Sequence, residues 1–271
     1  MIFRRIFVFL IISFLLAAAS FALPSRIIST MPSITETLFI LGVGDKVVGV
    51  TTNCNYPKEA ATKEKIGRVT VNVEKIFYLK PDLILMLEDA QLRDIEYLKS
   101  KKLPVVAIQA NTVQGVFDSI NQIGSLTGAT KEAEKIVMQL NSRLHKIKES
   151  DKAKIAKSIF VMAGFKPLVS VGRSSFINDI LAKAGGENVI ISKVAYPQIS
   201  FEELYRLNPD ILIVPKGLFG GDQIKKEEKL RRLSAVQNDR ILFVEDDLLF
   251  RPGPRVVDAI EIIAKFLSNE N

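Results

Sequence analysis

The side chains that most often carry catalysis or bind metal ions are scarce in this chain. Among its 271 residues there is one histidine, His145, and one cysteine, Cys54. Catalysis by a Ser–His or Cys–His pair needs a histidine beside the nucleophile, and His145 lies in a charged segment typical of an exposed helix. A single cysteine excludes an internal disulfide and a cysteine-built metal site, so Cys54 is interpreted as a small buried residue.

Motifs for acyl and nucleotide chemistry are also missing from the sequence. No serine lies in a G-x-S-x-G elbow, no G-x-x-x-x-G-K-[ST] phosphate loop occurs, and STMPS stands after the first strand in place of a Rossmann glycine fingerprint. A bare transition metal would need several histidine or carboxylate ligands. We therefore expect a protein that is not an enzyme, and any metal is expected to arrive already chelated. An extracytoplasmic enzyme that uses carboxylates alone stays open as a rival hypothesis.

Two glutamates recur in a repeated unit. VEKIFYLKPDLIL (residues 73–85) and FEELYRLNPDILI (residues 201–213) share a glutamate in second place, a hydrophobic helix face, Pro-Asp and an apolar run. Glu74 is thereby repeated 128 positions later as Glu202. Because proline disfavours helical geometry at the preceding residue, each unit predicts a short helix that ends before the proline and a buried strand after it.

The elements around these units alternate between strands and helices. RIIST, KVVGVT and LPVVAI are strand-like in the first half, as are SIFVMAGF, PDILIVP and RILFVED in the second. After RIIST, Ser33 and Glu36 have the spacing of a capping box at a helix start. Strands that alternate with helices indicate parallel pairing and a sheet covered on both faces. The predicted fold class is therefore α/β.

A long amphipathic segment separates the two halves. Residues 130–155 contain no glycine or proline, and one face carries apolar residues: Ala133, Ile136, Val137, Leu140, Leu144 and Ile147. About 22 residues of helix would span roughly 33 Å. This predicts two Rossmann-like lobes, residues 23–129 and 156–271, joined by one bridging helix over 130–155. The ligand cleft is expected between the lobes, with limited hinge motion.

The first 22 residues have the pattern of a secretory signal. Two arginines precede an apolar run over residues 6–19, and small residues precede a predicted cleavage site after Ala22. Cleavage there predicts a periplasmic or otherwise extracytoplasmic protein, and the lack of a cysteine after the run disfavours a lipid anchor. The formal net charge is +7, but the basic residues are scattered, so no nucleic-acid partner is expected.

Three long stretches of the chain carry a family resemblance: RIISTMPSITETLFILGVGDKVVGVTTNCNYPKEA, KIGRVTVNVEKIFYLKPDLIL and RPGPRVVDAIEIIAKFL. They resemble the periplasmic substrate-binding proteins of ABC importers for cobalamin, ferric siderophores and haem. The likeness covers nearly all of the mature chain. It implies two α/β lobes bridged by a long helix, a monomer, and no covalently bound cofactor.

Within that family, the CNYP turn is most similar to the cobalamin receptors. The resemblance implies that Tyr56 packs against a corrinoid, because a flat macrocycle is held by aromatic faces and a few polar groups. It also implies ligand contacts from the segment before the last helix and from both lobes. The expected ligand-facing residues are, besides Tyr56, Ser33, Arg173, Tyr196, Leu248, Leu249, Phe250, Arg251 and Pro252.

The identity of the ligand stays open between cobalamin and a ferric siderophore or haem. Cobalamin receptors often place tryptophans in the cleft, and this chain has none. A cleft that contains Arg68, Arg173 and Arg251 would also suit an anionic chelate.

The resemblance implies a docking role for the repeated glutamates. In the family, one glutamate on each lobe docks to arginine pockets on the two subunits of a permease dimer, and Glu74 and Glu202 occupy those positions. The intramolecular alternative is that both carboxylates favour the positive end of a helix, after Asn72 and Ser200. A sensory receptor that signals to a membrane partner also stays open.

Overall fold

The structure, a computed structural model, describes residues 23–68, 70–150, 156–219 and 223–269. The predicted secretory segment, residues 1–22, lies outside them. Within these ranges, no helix combines the length and the apolar character that a membrane crossing requires.

The first lobe is built on a five-stranded parallel sheet in the order β3-β2-β1-β4-β5. Its strands are β1 (Ile27–Ser29), β2 (Val47–Val50), β3 (Glu64–Lys65), β4 (Leu83–Leu87) and β5 (Val105–Ile108). Its helices are α1 (Pro32–Ile40), α2 (Val73–Leu79), α3 (Glu88–Ser100) and α4 (Val113–Thr127), with 3-10 turns at Gly44–Lys46 and Lys58–Thr62. Strand β4, which lies between β1 and β5, is buried throughout, as its continuous apolar run predicts.

The second lobe repeats this plan after helix α5 (Thr130–Ser150). Its strands are β6 (Ser158–Val161), β7 (Gly164–Phe165), β8 (Leu168–Val169), β9 (Glu187–Asn188), β10 (Ile211–Pro215) and β11 (Ile241–Val244). Four of them form a parallel sheet in the order β11-β10-β6-β9, and β7 and β8 form an antiparallel pair. The helices are α6 (Phe176–Lys183), α7 (Phe201–Leu207), α8 (Gln223–Lys226), α9 (Ser234–Gln237), α10 (Asp246–Phe250) and α11 (Val256–Asn269). The predicted α/β class, with two lobes and a bridging helix, is confirmed.

Helix α5 packs against both lobes. Its predicted apolar face lies in a core that continues from the first lobe into the second. On its polar side, Arg143 donates hydrogen bonds to Glu261 on α11 at 2.8 and 2.6 Å and to Asp258 at 2.6 Å. The lobes also touch directly, because Asp179 on α6 accepts a hydrogen bond from the N–H of Val113 at the start of α4 (2.7 Å). This carboxylate joins the two lobes at a helix N-terminus.

The two repeated units have matching backbone geometry. Asn72 and Ser200 each accept a hydrogen bond from the N–H group three residues further on, at 3.0 and 3.1 Å, and so cap α2 and α7. The residue before each proline, Lys80 or Asn208, is left-handed, with φ of 45° and 38°. Each helix therefore ends before its proline, as the sequence predicts.

The aspartates of the two units have equivalent structural roles. Asp82 accepts hydrogen bonds from the N–H groups of Ser25 (2.8 Å) and Arg26 (2.9 Å), which lead into β1. Asp210 accepts from the N–H (2.9 Å) and the hydroxyl (2.7 Å) of Ser158, the first residue of β6. Burial alone would raise the pKa of both carboxyls, but these hydrogen bonds together hold each pKa below its usual value. Each Pro-Asp pair thus fixes its strand to the first strand of its lobe.

Candidate functional site

A cleft of about 540 Å³ lies between the lobes. It is lined by four segments of the first lobe and one of the second: Thr30, Met31, Pro32, Ser33, Thr51, Thr52, Asn53, Asn55, Arg68, Ala90, Gln91, Asp247, Phe250, Arg251 and Pro252. Three of the first-lobe segments follow the carboxyl ends of β1, β2 and β4, and the second-lobe segment follows β11. Ligands of open parallel sheets bind at this end of the strands.

A buried carboxylate connects the two lobes beside this cleft. The side chain of Glu36 on α1 is only 3% exposed, and it forms salt bridges with two arginines of the second lobe. Arg255 donates to its two oxygens at 2.8 and 2.7 Å, and Arg251 donates to Oε1 at 3.2 Å. We refer to Glu36, Arg251 and Arg255 as the Glu36 cluster. The hydrogen bonds with Glu36 raise the pKa of Arg255, although partial burial opposes this.

The guanidinium group of Arg251 has further partners that hold it at the wall of the cleft. It donates to Asn55 Oδ1 at 2.9 Å and to the carbonyl oxygen of Asn53 at 3.3 Å. It also lies 2.8 Å from a carboxylate oxygen of Asp247. Two acidic side chains therefore surround this cation, and its charge is largely compensated within the protein.

The predicted capping box at Ser33 and Glu36 is wrong. Helix α1 begins two residues earlier than a capping box requires, at Pro32, with Met31 at the N-cap and no capping side chain. Glu36 turns instead to the two arginines, and the Ser33 hydroxyl is buried without a hydrogen-bond partner among the described residues. The S-x-x-E spacing is the same whether the glutamate caps its own helix or binds distant arginines. Local spacing therefore cannot distinguish a capping box from an ion pair with residues more than 200 positions away.

A network of hydroxyl groups lies beneath the cleft. The hydroxyls of Ser29 and Thr35 are 2.8 Å apart, and both Thr35 and Thr51 contact the thiol of Cys54 at 3.1 and 3.2 Å. Cys54 is 1% exposed, so its predicted burial is confirmed. Cys54 also packs in the hydrophobic core, and its two contacts with hydroxyl groups were not predicted.

The segment before the last helix divides between cleft and core. Phe250, Arg251 and Pro252 line the cleft, as does Ser33. Leu249 is fully buried in the hydrophobic core, and Leu248 is partly buried against the same core. This segment forms helix α10, so successive side chains point in different directions. The burial of Leu249 argues against its expected contact with the ligand, whereas ligand contact by Leu248 stays a prediction.

The remaining predicted ligand residues lie outside the immediate lining of the cleft. Tyr56 is half exposed, and the guanidinium carbon of Arg255 lies 4.2 Å from the centre of its ring. Arg173 and Tyr196 lie on adjacent segments of the second lobe, because the N–H of Gly172 donates to the carbonyl oxygen of Ala195 (2.9 Å). Tyr196 is about half exposed, and burial of the remainder raises the pKa of its phenol. Ligand contact by these three residues stays a prediction.

Both repeated glutamates are exposed in the first turn of their helices. The Glu202 carboxylate accepts hydrogen bonds from its own N–H and from the Ser200 hydroxyl, and these lower its pKa. It is therefore ionised at neutral pH. In the first lobe, Tyr78 lies one turn after Glu74 and is 81% exposed.

A second groove, of about 590 Å³, lies where α4, α5 and the end of α6 meet. It contains His145, which is exposed on α5 as predicted. In the part of the chain that the structure describes, no group of three or more His, Cys, Asp or Glu side chains is placed to hold a metal ion. The groove has no buried ion pair comparable to the Glu36 cluster, so the cleft between the lobes is the stronger candidate site.

The residues that sequence reasoning missed are Glu36, Arg255 and Gln91. Glu36 and Arg255 lie within the P-S-x-T-E and R-P-G-P-R motifs, which are separated by more than 200 positions. Two opposite charges in short motifs at the two ends of the chain were a usable signal for an ion pair between lobes. No sequence signal pointed to Gln91. It lies near the start of α3, where the backbone departs from helical geometry, and this departure is visible only in the structure.

Comparison with known proteins places the chain among solute-binding proteins. A family model described as periplasmic binding protein matches residues 27–248. An uncharacterized ABC transporter substrate-binding lipoprotein of Bacillus subtilis is 36% identical over 250 residues, which cover 89% of this chain and 79% of the relative. The vitamin B12-binding protein of Vibrio cholerae is 28% identical over 245 residues, which cover 89% of this chain and 88% of the relative.

The solved structures that resemble this chain are also periplasmic binding proteins. The periplasmic vitamin B12 binding protein of Vibrio cholerae matches with a TM-score of 0.82 and 28% identity, covering 91% of this chain and 97% of that one. A possible iron-binding periplasmic solute-binding protein of Staphylococcus epidermidis matches with a TM-score of 0.77 and 32% identity, covering 90% of this chain and 98% of that one. A periplasmic haem-binding protein of Roseiflexus, at 23% identity and a TM-score of 0.81, shares the fold.

Proposed function

The chain belongs to the periplasmic binding protein family, and from this membership we propose that it is an extracytoplasmic receptor for a corrinoid, which it delivers to an ABC importer. Relatives at 28% identity, over almost their whole length, are vitamin B12-binding proteins. The predicted signal over residues 1–22 agrees with export. The receptor acts as a monomer without a covalently bound cofactor.

The observation that carries the corrinoid assignment is the charge state of the cleft wall. Arg251, the cation that would be the natural partner for an anionic chelate, is already bound to Glu36 and Asp247. Releasing it for a ligand would leave Glu36, which is almost fully buried, with one partner fewer, and this is costly. Of the cationic side chains that line the cleft, only Arg68 has no ion pair among the described residues. A ligand of low net charge is therefore favoured.

The other polar groups of the cleft suit a ligand that carries many amides. Hydroxyl and carboxamide side chains dominate the first-lobe wall, and they can both donate and accept hydrogen bonds. A corrinoid presents a flat ring with carboxamide side chains around its edge. Phe250, 36% exposed at the cleft, offers an apolar contact for the ring.

A ferric siderophore or haem is the second candidate ligand. It is favoured by the lack of a described partner for the side chains of Arg68 and Arg173, and by the relative named a possible iron-binding protein at 32% identity. Charge-assisted hydrogen bonds from these two arginines would suit carboxylate groups on such a chelate.

Thermal unfolding in the presence of candidate ligands distinguishes the two. The purified mature protein is melted alone and with cyanocobalamin, dicyanocobinamide, haemin or a ferric siderophore. At a free concentration of 100 times Kd, a ligand stabilises by about 2.7 kcal/mol, which corresponds to a rise in Tm of roughly 5–11 °C for a chain of this size. The corrinoid assignment requires this rise with a corrinoid. A rise with haemin or the siderophore alone contradicts it.

The proposed contacts to the importer are Glu74 and Glu202. Both carboxylates are exposed at helix starts and form no ion pair within the described residues, so an arginine of another protein can reach them. Each lobe then presents one glutamate to one half of a two-subunit permease.

Charge reversal tests this docking. The double variant Glu74→Lys/Glu202→Lys is expected to lose binding to permease in nanodiscs while its affinity for the ligand stays within about twofold of wild type, because neither side chain lines the cleft. The matched control, Glu96→Lys/Glu187→Lys, reverses one exposed glutamate on each lobe and should dock normally. Equal loss of docking in both double variants would show a general charge effect and no specific contact.

A further inference from the structure

One buried hydroxyl group at the cleft, that of Ser33, has no hydrogen-bond partner among the described residues. Ser33 is 3% exposed, lines the cleft, and its hydroxyl makes no hydrogen bond to any described residue. A buried hydroxyl without a partner costs free energy, and such groups are rare in folded proteins. It is the only buried side-chain nitrogen or oxygen in this state within the part of the chain that the structure describes.

The buried hydroxyl groups around Ser33 are partnered, so Ser33 is the exception among them. Ser29 and Thr35 bond to each other, Thr30 donates to Gln91 at 2.6 Å, and Thr51 contacts Cys54. A hydroxyl in this setting could readily have found a partner within the protein. The Ser33 hydroxyl is therefore available to a bound molecule.

The backbone beside Ser33 also offers unpaired donors. Helix α1 has nine residues, and its N-cap residue Met31 provides no side-chain acceptor. The first backbone bond of the helix runs from the N–H of Thr35 to the carbonyl oxygen of Met31 (3.0 Å), which leaves the N–H groups of Ser33 and Ile34 without a partner among the described residues. These N–H groups carry the partial positive charge of the helix start.

A second side chain, Gln91, is oriented so that its donors are available. Its Oε1 accepts from the Thr30 hydroxyl at 2.6 Å and from the N–H of Leu87 at 3.3 Å. This assigns the amide orientation, because the oxygen must face both donors. The Nε2 group then has no acceptor among the described residues, and Gln91 lines the same cleft as Ser33. Its backbone departs from helical geometry (φ −136°, ψ 25°), which sets it apart from the regular face of α3.

We propose that Ser33 and Gln91, together with the start of α1, form a subsite that donates hydrogen bonds to an acceptor oxygen of the ligand. On the proposed function, on which this inference rests, that oxygen is the carbonyl of a peripheral carboxamide of the corrinoid. Thr30 links the two side chains, since it bonds to Gln91 and lies three residues before Ser33. The subsite fixes the rotation of the ring in the cleft, and so it determines specificity.

Two substitutions separate this role from a structural one. Ser33→Ala removes the unpartnered hydroxyl, and is expected to weaken cyanocobalamin binding about fivefold, the effect of one hydrogen bond. Its Tm should not fall, because no bond within the protein is lost. Gln91→Glu keeps an oxygen for Thr30 and Leu87 but replaces the donor by an acceptor, and is expected to weaken binding at least tenfold by repulsion. The control Ser119→Ala removes a buried hydroxyl that donates to the carbonyl oxygen of Val116 (2.7 Å) in α4; it should lower Tm and leave binding unchanged.

Isothermal titration and melting of each full-length mature variant give distinct outcomes. Weaker cyanocobalamin binding by Ser33→Ala at unchanged or higher Tm supports the subsite. Binding within twofold of wild type for both variants overturns it, even if the wild type binds cyanocobalamin well. If the wild type binds only haemin or a ferric siderophore, the proposed ligand is wrong, and the titrations are repeated with that compound. Unchanged affinity of both variants for it then overturns the subsite as well, while weaker binding supports it.

Discussion

Replacing Glu36 by glutamine tests how the two lobes are held together. Glu36→Gln keeps the shape of the side chain but removes the charge that Arg251 and Arg255 share. Breaking a fully buried ion pair costs about 3–5 kcal/mol. The arginine side chains are 14% and 24% exposed, and Arg251 retains Asp247, so both cations stay partly compensated. We therefore expect a loss of about 2–3 kcal/mol in the free energy of unfolding, or roughly 4–12 °C in Tm.

The assay is equilibrium unfolding in urea, followed by circular dichroism, with melting as a second measurement. The control is Glu203→Gln, which removes the charge from an exposed pair with Arg206 of similar length (2.7 Å). Exposed pairs are screened and contribute little, so this variant should unfold at the wild-type urea concentration. The double variant Glu36→Gln/Arg255→Gln should lose less than the sum of its single variants by roughly 1 kcal/mol or more, because the two side chains interact directly.

Loss of Glu36 should also change ligand preference. Arg251 would then have one acidic neighbour fewer, and its charge would become available to an anion in the cleft. We expect Glu36→Gln to bind haemin or a carboxylate siderophore more tightly than the wild type does. If the urea midpoint is unchanged and anion binding is no stronger, the Glu36 cluster neither joins the lobes nor compensates the charge of Arg251.

Three further predictions follow from the geometry. The folded-state pKa values of Asp82 and Asp210 are lowered, so these carboxylates stabilise the fold above about pH 4, and this stabilisation is lost as the pH falls through the folded values. Asp82→Asn/Asp210→Asn should therefore flatten the dependence of Tm on pH below about pH 4. An unchanged dependence of Tm on pH in this acid range would contradict the prediction. Gly253→Ala would place a Cβ atom 3.2 Å from the Cβ of Ser33 across the lobe contact. The free energy of unfolding should fall by about 1 kcal/mol, the urea midpoint should fall with it, and ligand binding should weaken. Wild-type stability and binding would show that the residues at this contact move apart without cost. Leu249→Ala should lower the free energy of unfolding by about 2–5 kcal/mol, because it truncates a core side chain. The ligand affinity of the folded protein should be unchanged in titrations at low temperature. A loss of affinity in a fully folded variant would show that Leu249 contacts the ligand.

The fold was largely predictable because its signals are local and repeated. Alternating strands and helices, and the apolar stripe of α5, come from side-chain periodicity alone, which reports directly on burial. The repeated Pro-Asp units predicted where α2 and α7 end. The strand partners of the two aspartates were not predictable in this way, since Asp82 binds a serine 57 positions before it.

The site was predictable only where a motif could be carried over from the family. Phe250, Arg251 and Pro252 line the cleft as expected, but the direction of neighbouring side chains depends on the short helix α10, which buries Leu249. The interpretation of Ser33 and Glu36 failed for a different reason. A capping box is judged from four consecutive residues, and the competing partners of Glu36 are 215 and 219 positions away. Tertiary ion pairs of this kind override local pattern.

Comparison of the two repeated units separates what the fold requires from what it does not. In both units the helix is capped by the preceding residue, Asn72 or Ser200, so the glutamate that follows is not needed as the N-cap. The neighbouring exposed positions have diverged, since tyrosine in the first unit corresponds to arginine in the second one turn after the glutamate. Only the glutamates match among these exposed positions. The proposed docking to a shared external partner would account for this match, because an exposed carboxylate at a capped helix start contributes little to stability. Glu74 and Glu202 are therefore expected to matter for docking and not for folding.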